Sequence, residues 1–133
     1  MATIQRNLQL EDLSAFDLPY TKDQLKGIFL SYDFIGYFVR EKIAGLIIFK
    51  VVEQESTLIY IEILEAYRQQ GIAKEMMSYY HRLLGPAYTF LLEVSTNNHQ
   101  AIKLYTGFGY QVNRLRKNYY EDSDGWEMIL HES

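Results

Sequence analysis

The amino-acid sequence predicts a mixed α/β chain, a sheet with helices packed against it. Three observations carry that expectation. Between Gly36 and Leu64 lie three runs rich in aliphatic, β-branched and aromatic residues, separated by short polar turns. From Gly71 the apolar spacing lengthens to a helical period, and beyond Thr89 strand-like and helix-like segments alternate to the end. The third is scale: 133 residues, 48% hydrophobic and 23% charged, suit a single domain over 1–133 with its own core.

In chain order, Thr3 to Leu8 reads as a short strand, and two short helices come next. Thr21 and Gln24 have the spacing of a capping box that opens the second of them, through Leu30. Gly36–Arg40, Ala44–Val52 and Thr57–Leu64 form an antiparallel meander, with Glu53-Gln54-Glu55-Ser56 as a turn. Ile72, Met76, Tyr79 or Tyr80, and Leu83 recur at helical spacing until Gly85-Pro86 stops them. Thr89–Ser95 is a buried-looking strand, Asn97–Phe108 a helix ending at Gly109, and Gln111–Tyr119 and Trp126–Leu130 are two last strands. The predicted order is β-α-α-β-β-β-α-β-α-β-β.

Composition excludes several classes. Cysteine is absent, so disulfide frameworks, thiolate nucleophiles and Cys-ligated zinc are ruled out. No run approaches the roughly 18 apolar residues of a membrane span, and Met1 to Leu10 shows no signal-peptide pattern; the expected location is cytoplasmic. His81, His99 and His131 have no metal-gathering spacing, so no metal is expected. A net charge of −4 disfavours nucleic-acid binding and fits a cationic partner better. Arg114, Arg116 and Lys117 with Tyr119 and Tyr120 could form an RNA-binding stripe, but alternation along a strand explains them more simply.

The informative segment is Tyr67-Arg68-Gln69-Gln70-Gly71-Ile72-Ala73, between a strand and a long helix. Such a junction exposes free N–H groups and the positive end of the helix dipole, an anion site. Gly71 allows close approach of a phosphate, Ala73 avoids crowding it, and Arg68 could add a charge-assisted bond. An ordinary solvated helix start accounts for these residues equally well. Glu93 interrupts the apolar strand Phe90–Val94, where desolvation would raise a carboxyl pKa, unless that face of the strand is solvated. Tyr105 shares an apolar helix face with Ala101, Ile102 and Phe108 and, taken alone, reads as core.

Taken together, these segments resemble the GCN5-related N-acetyltransferase (GNAT) superfamily. Its acetyl-CoA loop, Arg/Gln-x-x-Gly-x-Gly/Ala, is matched by Arg68-Gln69-Gln70-Gly71-Ile72-Ala73. Within the superfamily the chain looks most like the ribosomal-protein-alanine N-acetyltransferases. Their second signature appears as Leu92-Glu93-Val94, Asn98, Ala101-Ile102-Lys103-Leu104-Tyr105, Gly109-Tyr110 and Arg116-Lys117-Asn118-Tyr119-Tyr120. Pro19-Tyr20-Thr21 and Asp124-Gly125-Trp126-Glu127-Met128 are similar to two further family segments. The chain departs from the family at Ser95, where Arg is usual, at Tyr20 in place of Trp, and at Leu64-Glu65 in place of Asp-Pro.

The resemblance implies a mostly antiparallel central sheet with splayed fourth and fifth strands and helices on both faces. It implies that Ile61-Glu62-Ile63 pairs with the pantetheine arm of acetyl-CoA. The loop residues Arg68, Gln69, Gln70, Gly71, Ile72 and Ala73 would hold the pyrophosphate, and Asn98 would bond near the pantetheine. It casts Glu93 as the base for the attacking amine and Tyr105 as the acid for the departing thiolate. In other branches the base lies on the fourth strand, so Glu62 could assist or replace Glu93. The implied acceptor is a protein N-terminal amine; Glu53, Glu55, Glu62, Glu121, Asp122 and Asp124 could favour a basic peptide or a polyamine, and a solvated surface accounts for them equally well. The alternatives are a polyamine or amino-sugar acetyltransferase, and a non-catalytic acyl-CoA-binding module.

Overall fold

In the strand Lys42–Val52 (β3), Ile47 and Phe49 belong to one buried cluster while Leu46 and Ile48 belong to another. Successive strand residues point to opposite faces, so a strand buried on both must lie inside a sheet covered on both. The structure, a computed structural model, describes residues 1–131. Around β3 stand Ala2–Gln5 (β1), Asp33–Val39 (β2), Glu55–Ile63 (β4), Thr89–Ser95 (β5), Gln111–Arg116 (β6) and Gly125–His131 (β7). They make one seven-stranded sheet in the order β1-β2-β3-β4-β5-β7-β6. Every pairing is antiparallel except β4 with β5, which is parallel.

The helices arise from their apolar stripes and stop signals. Lys22–Ser31 (α1) starts at the expected capping box: Gln24 N donates to Thr21 Oγ1 at 3.1 Å and Thr21 N donates to Gln24 Oε1 at 2.9 Å. Ile72–Leu84 (α2) buries Ile72, Met76, Met77, Tyr80 and His81 and ends at Gly85. His99–Gly107 (α3) buries Tyr105. Residues of α2 and α3 pack with Ile47, Phe49, Phe90, Leu92 and Met128 on one side of the sheet. Leu13 and Phe16, from a short 3₁₀ segment Leu10–Ala15 and its end, join Phe34, Phe38, Leu46 and Ile48 on the other.

The differences from the sequence expectations lie at element ends. The first short helix is a 3₁₀ segment, and β1 stops at Gln5 instead of Leu8. Arg6 there donates through Nε to Phe34 O at 3.0 Å, and Leu8 turns into the second cluster, so the chain leaves the sheet. β2 and β4 begin earlier than expected, at Asp33 and Glu55. β6 ends at Arg116 instead of Tyr119, because Asn118 takes a left-handed conformation (φ 54) and its N–H is held by Asp124 Oδ1 at 2.8 Å.

His81 is the one titratable side chain of α2 placed inside the first cluster besides the tyrosines. Its Nε2 and Tyr110 Oη are 2.8 Å apart, and the rings of Tyr80, Phe90 and Phe108 surround it. Burial pushes its pKa down from 6.5 to about 4. The neutral ring is therefore favoured in the folded chain, and the unfolded chain binds the extra proton as pH falls between those values. This contribution to stability is complete above about pH 7 and is lost on acidification. Replacing His81 by Phe should remove about 3 kcal/mol of the stability change between pH 7 and pH 4, read from urea unfolding at both pH values.

Candidate active site

The site arises where two strands stop pairing. β4 and β5 are in register from Glu55–Thr89 to Leu58–Leu92, and no further. β4 continues to Ile63 against β3, and β5 continues to Ser95 against β7. Each strand keeps its outer neighbour and loses its inner one, so the sheet opens as a V with backbone groups on the parted edges lacking a strand partner. A cleft of about 590 Å³ lies at this opening. Ile61, Glu62 and Ile63 line it from β4, and Asn98 and Tyr105 line it from α3 and its cap. Arg68, Gln69, Gly71, Ile72 and Ala73 close its end. Gln70 is exposed and outside that lining, while Lys74, Gln100 and Leu104 belong to it without having been expected.

The loop end is built to receive an anion. Gly71 caps α2 in the left-handed region, at φ 77, and no side chain bonds the cap. The first helical bond is Glu75 N to Gly71 O at 3.1 Å, so the N–H groups of Ile72, Ala73 and Lys74 have no intrahelical acceptor. A Cβ added at Gly71 would meet nothing within 4 Å, which leaves open room directly over those donors. Gln69 is also left-handed, at φ 63.

Arg68 does not extend freely into the cleft. Its Nε donates to Ile63 O at 2.9 Å and its Nη2 to Glu62 Oε1 at 3.1 Å. Tyr60 Oη donates to Glu62 Oε2 at 2.6 Å. Asn98 caps α3, its Oδ1 accepting from Ala101 N at 3.2 Å, which leaves its amide N–H groups available to the cleft.

The acid–base candidates stand on α3 and on β5. Tyr105 is buried, and burial first, then the Tyr120 phenol, pushes its pKa up to about 12. Glu93 stands on the less buried face of β5, outside the cleft lining. Tyr119 Oη donates to its Oε1 at 2.9 Å, and Arg116 Nη1 lies 3.1 Å from its Oε2. That oxygen is buried and makes no hydrogen bond; the guanidinium is near enough to pair without aiming an N–H at it. Burial first, then Tyr119 and Glu93, raises the Tyr120 pKa, so Tyr120 is within electrostatic reach of both Glu93 and Tyr105. The two tyrosines Tyr119 and Tyr120 sit over Gly125, where a Cβ would be 3.1 Å from each ring. Arg116, Tyr119 and Tyr120 stand out as a motif, but nothing in linear spacing says that the chain folds back onto Glu93. The same pairing accounts for the basic stripe, since Arg114 and Arg116 face Glu127 and Glu93. Among the described residues no three His, Asp or Glu side chains gather into a metal-binding group, and no helix is long and apolar enough to cross a membrane.

An unpaired strand edge, an uncapped helix N-terminus with open space over it, and a buried phenol fit a long phosphorylated thioester. A coenzyme A thioester has those parts: an amide-bearing arm, a pyrophosphate and a sulfur leaving group. The acetyltransferase (GNAT) family pattern matches residues 5–110, and the chain belongs to that family. It is 33% identical over 138 residues to a Bacillus subtilis (strain 168) protein provisionally named [ribosomal protein bS18]-alanine N-acetyltransferase, covering 94% of this chain and 91% of that one. Its fold superimposes on the crystal structure of the ribosomal-protein-S18-alanine N-acetyltransferase from Escherichia coli with a TM-score of 0.88 and 26% identity, over 100% of this chain and 95% of that one. Arabidopsis thaliana Naa50, solved with the bisubstrate analogue CoA-Ac-MVNAL, shares the fold at TM-score 0.81 and 17% identity, with 97% of each chain covered.

The anion end makes a direct prediction. Gly71→Asp should abolish detectable CoA binding in calorimetry, because its carboxylate would stand in the space over the free N–H groups. Gly71→Ala, strained at φ 77 but uncharged, should retain measurable binding. Equal loss in both would assign the effect to the backbone instead of the anion site.

Proposed function

We propose that this enzyme acetylates the N-terminal α-amine of a protein, with Glu93 as base and Tyr105 as acid in a direct transfer. The observation that carries the reading is that Tyr105 lines the cleft and Glu93 stands on β5 with one buried oxygen free of hydrogen bonds, while Tyr120 is within electrostatic reach of both. The extended similarity to the Bacillus subtilis relative supports the acceptor class.

Acetyl-CoA supplies an acetyl group activated as a thioester. The loop N–H groups and Lys74 hold its pyrophosphate, the free edge of Ile61–Ile63 holds the pantetheine amides, and Asn98 donates nearby. Glu93 takes one proton of the acceptor ammonium through a water, which frees the nitrogen lone pair for attack; the second ammonium proton leaves the tetrahedral nitrogen for the departing thiolate as the C–S bond breaks. Arg116 and Tyr119 keep its carboxylate in one orientation. Tyr105 donates to the sulfur as the C–S bond breaks. With a pKa of about 12 it stays protonated at neutral pH. It is a weaker acid than a thiol, at about 8.5, so its main contribution is a hydrogen bond to the developing thiolate. No enzyme nucleophile is needed, and the chain has no cysteine to provide a thiolate.

An α-amine titrates at about 7.7–8.0 and a Lys amine at about 10.4, so a single carboxylate serves the former far better near neutrality. Mass spectrometry with acetyl-CoA should show acetylation of basic peptides with a free N-terminal Ala. The same peptides blocked at the N-terminus, with free Lys, and polyamines should stay unmodified. The rate should level off near pH 8. Glu93→Gln should lower kcat about a hundredfold and Tyr105→Phe about tenfold, with CoA affinity retained. Modification confined to polyamines or Lys would refute the acceptor class, and unaltered kcat in both variants would refute the assigned roles.

A further inference from the structure

We infer that Glu62 is a positioning residue and not a base: it clamps Arg68 against β4 and thereby sets the loop whose backbone receives acetyl-CoA. This role rests on the reading of the cleft as the acetyl-CoA site.

Glu62 is the second carboxylate of the cleft, and its position on β4 makes it the rival to Glu93 for the proton. Its bonding argues otherwise. Each of its oxygens is already engaged, Oε2 by the Tyr60 hydroxyl at 2.6 Å and Oε1 by Arg68 Nη2 at 3.1 Å. Tyr60 is a lasting donor, since burial first, then its bond to Glu62, raises its pKa. Arg68 in turn grips two consecutive β4 residues, with Nε on Ile63 O at 2.9 Å and Nη2 on Glu62. A planar guanidinium held at two points on one strand has a fixed orientation.

That orientation governs the three residues immediately after Arg68. The Arg68 N–H itself makes only a long 3.3 Å bond to Glu65 O. Gln69 is left-handed, a conformation that non-glycine residues keep only when their surroundings hold them there. Gly71 then opens α2 without a side-chain cap. Among the described residues, the two bonds of Arg68 are the only side-chain hydrogen bonds tying residues 68–71 to the rest of the molecule. The ion pair is half exposed and contributes little by charge alone. Its effect is preorganisation of the backbone donors.

Charge and clamping predict opposite signs. A carboxylate beside an anion site repels phosphate, so on charge alone Glu62→Gln should tighten CoA binding. A clamp predicts weaker binding, because an amide cannot accept from Tyr60 and Arg68 with both ends. Isothermal calorimetry with CoA alone reads this without any acceptor or turnover. Glu62→Gln should weaken binding about five- to tenfold, and Tyr60→Phe, which leaves both charges in place, about two- to threefold. In an Arg68→Ala background Glu62→Gln should weaken binding no further, since the clamp passes through Arg68. Glu62→Gln should raise KM for acetyl-CoA while kcat falls far less than the hundredfold expected of Glu93→Gln.

Unchanged or tighter CoA binding by Glu62→Gln overturns the clamp. So does an additive weakening in the Arg68→Ala background, or a fall in kcat as large as that of Glu93→Gln, which would make Glu62 the base. Circular dichroism melting checks that each variant folds; should Glu62→Gln fail to fold, unchanged binding by Tyr60→Phe overturns the clamp in its place. Absence of CoA binding by the wild type would instead refute the reading of the cleft.

Discussion

The parting of β4 and β5 is the constraint on which the rest of the site depends. Backbone N–H and C=O groups need partners, and a strand inside a sheet normally finds them on both sides. Here the parallel pairing lasts only from Glu55 to Leu58, so the end of β4 and the end of β5 each have one unpaired edge. A sheet tolerates this where a ligand of the right chemistry can complete it, and an amide-bearing arm pairs with a strand edge as a peptide does. The same divergence separates the loop and Glu62 on one arm from Glu93 on the other.

Packing of α2 converts that opening into a binding site. Met76, Met77 and Tyr80 press the helix onto the sheet, with Tyr80 Oη also bonded to Ser56 inside the core. Gly45 on β3 makes the approach possible, since a Cβ there would lie 2.8 Å from both Met76 Sδ and Ile63 Cδ1. The helix is thereby aimed so that its free N–H groups face the cleft end. This local field matters because the chain carries a net charge of −4, which repels a polyphosphorylated substrate. At the cleft end the helix start and Lys74 supply positive potential, within a distance that salt does not screen away.

Much of this was legible in the linear chain. The capping box at Thr21, the stops at Gly85 and Gly109, and the switch of apolar period at Gly71 all rest on interactions between near neighbours, and the strands and helices formed where those signals stood. The start of α2 at Gly71 was readable for the same reason. Less legible were the ends of β1 and β6, because partners beyond the local window draw Arg6, Leu8 and Asn118 out of the sheet. Arg6 bonds to Phe34, Leu8 packs in the cluster of Phe38 and Leu46, and the N–H of Asn118 is held by Asp124.

By itself the sequence determined the succession of elements, the loop chemistry and the identities of the polar residues set among apolar ones, since each depends on local periodicity and backbone preference. Only the tertiary structure decided what Glu93 and Glu62 are bonded to. Glu93 meets Tyr119 from 26 residues away, and Glu62 meets Arg68 across the end of its own strand. A carboxylate's role depends on which donors surround it, and those donors are gathered by the sheet's topology and the fold of its loops. Spacing along the chain could name two candidate bases; only the fold shows that Tyr60 and Arg68 surround one and Arg116 and Tyr119 the other.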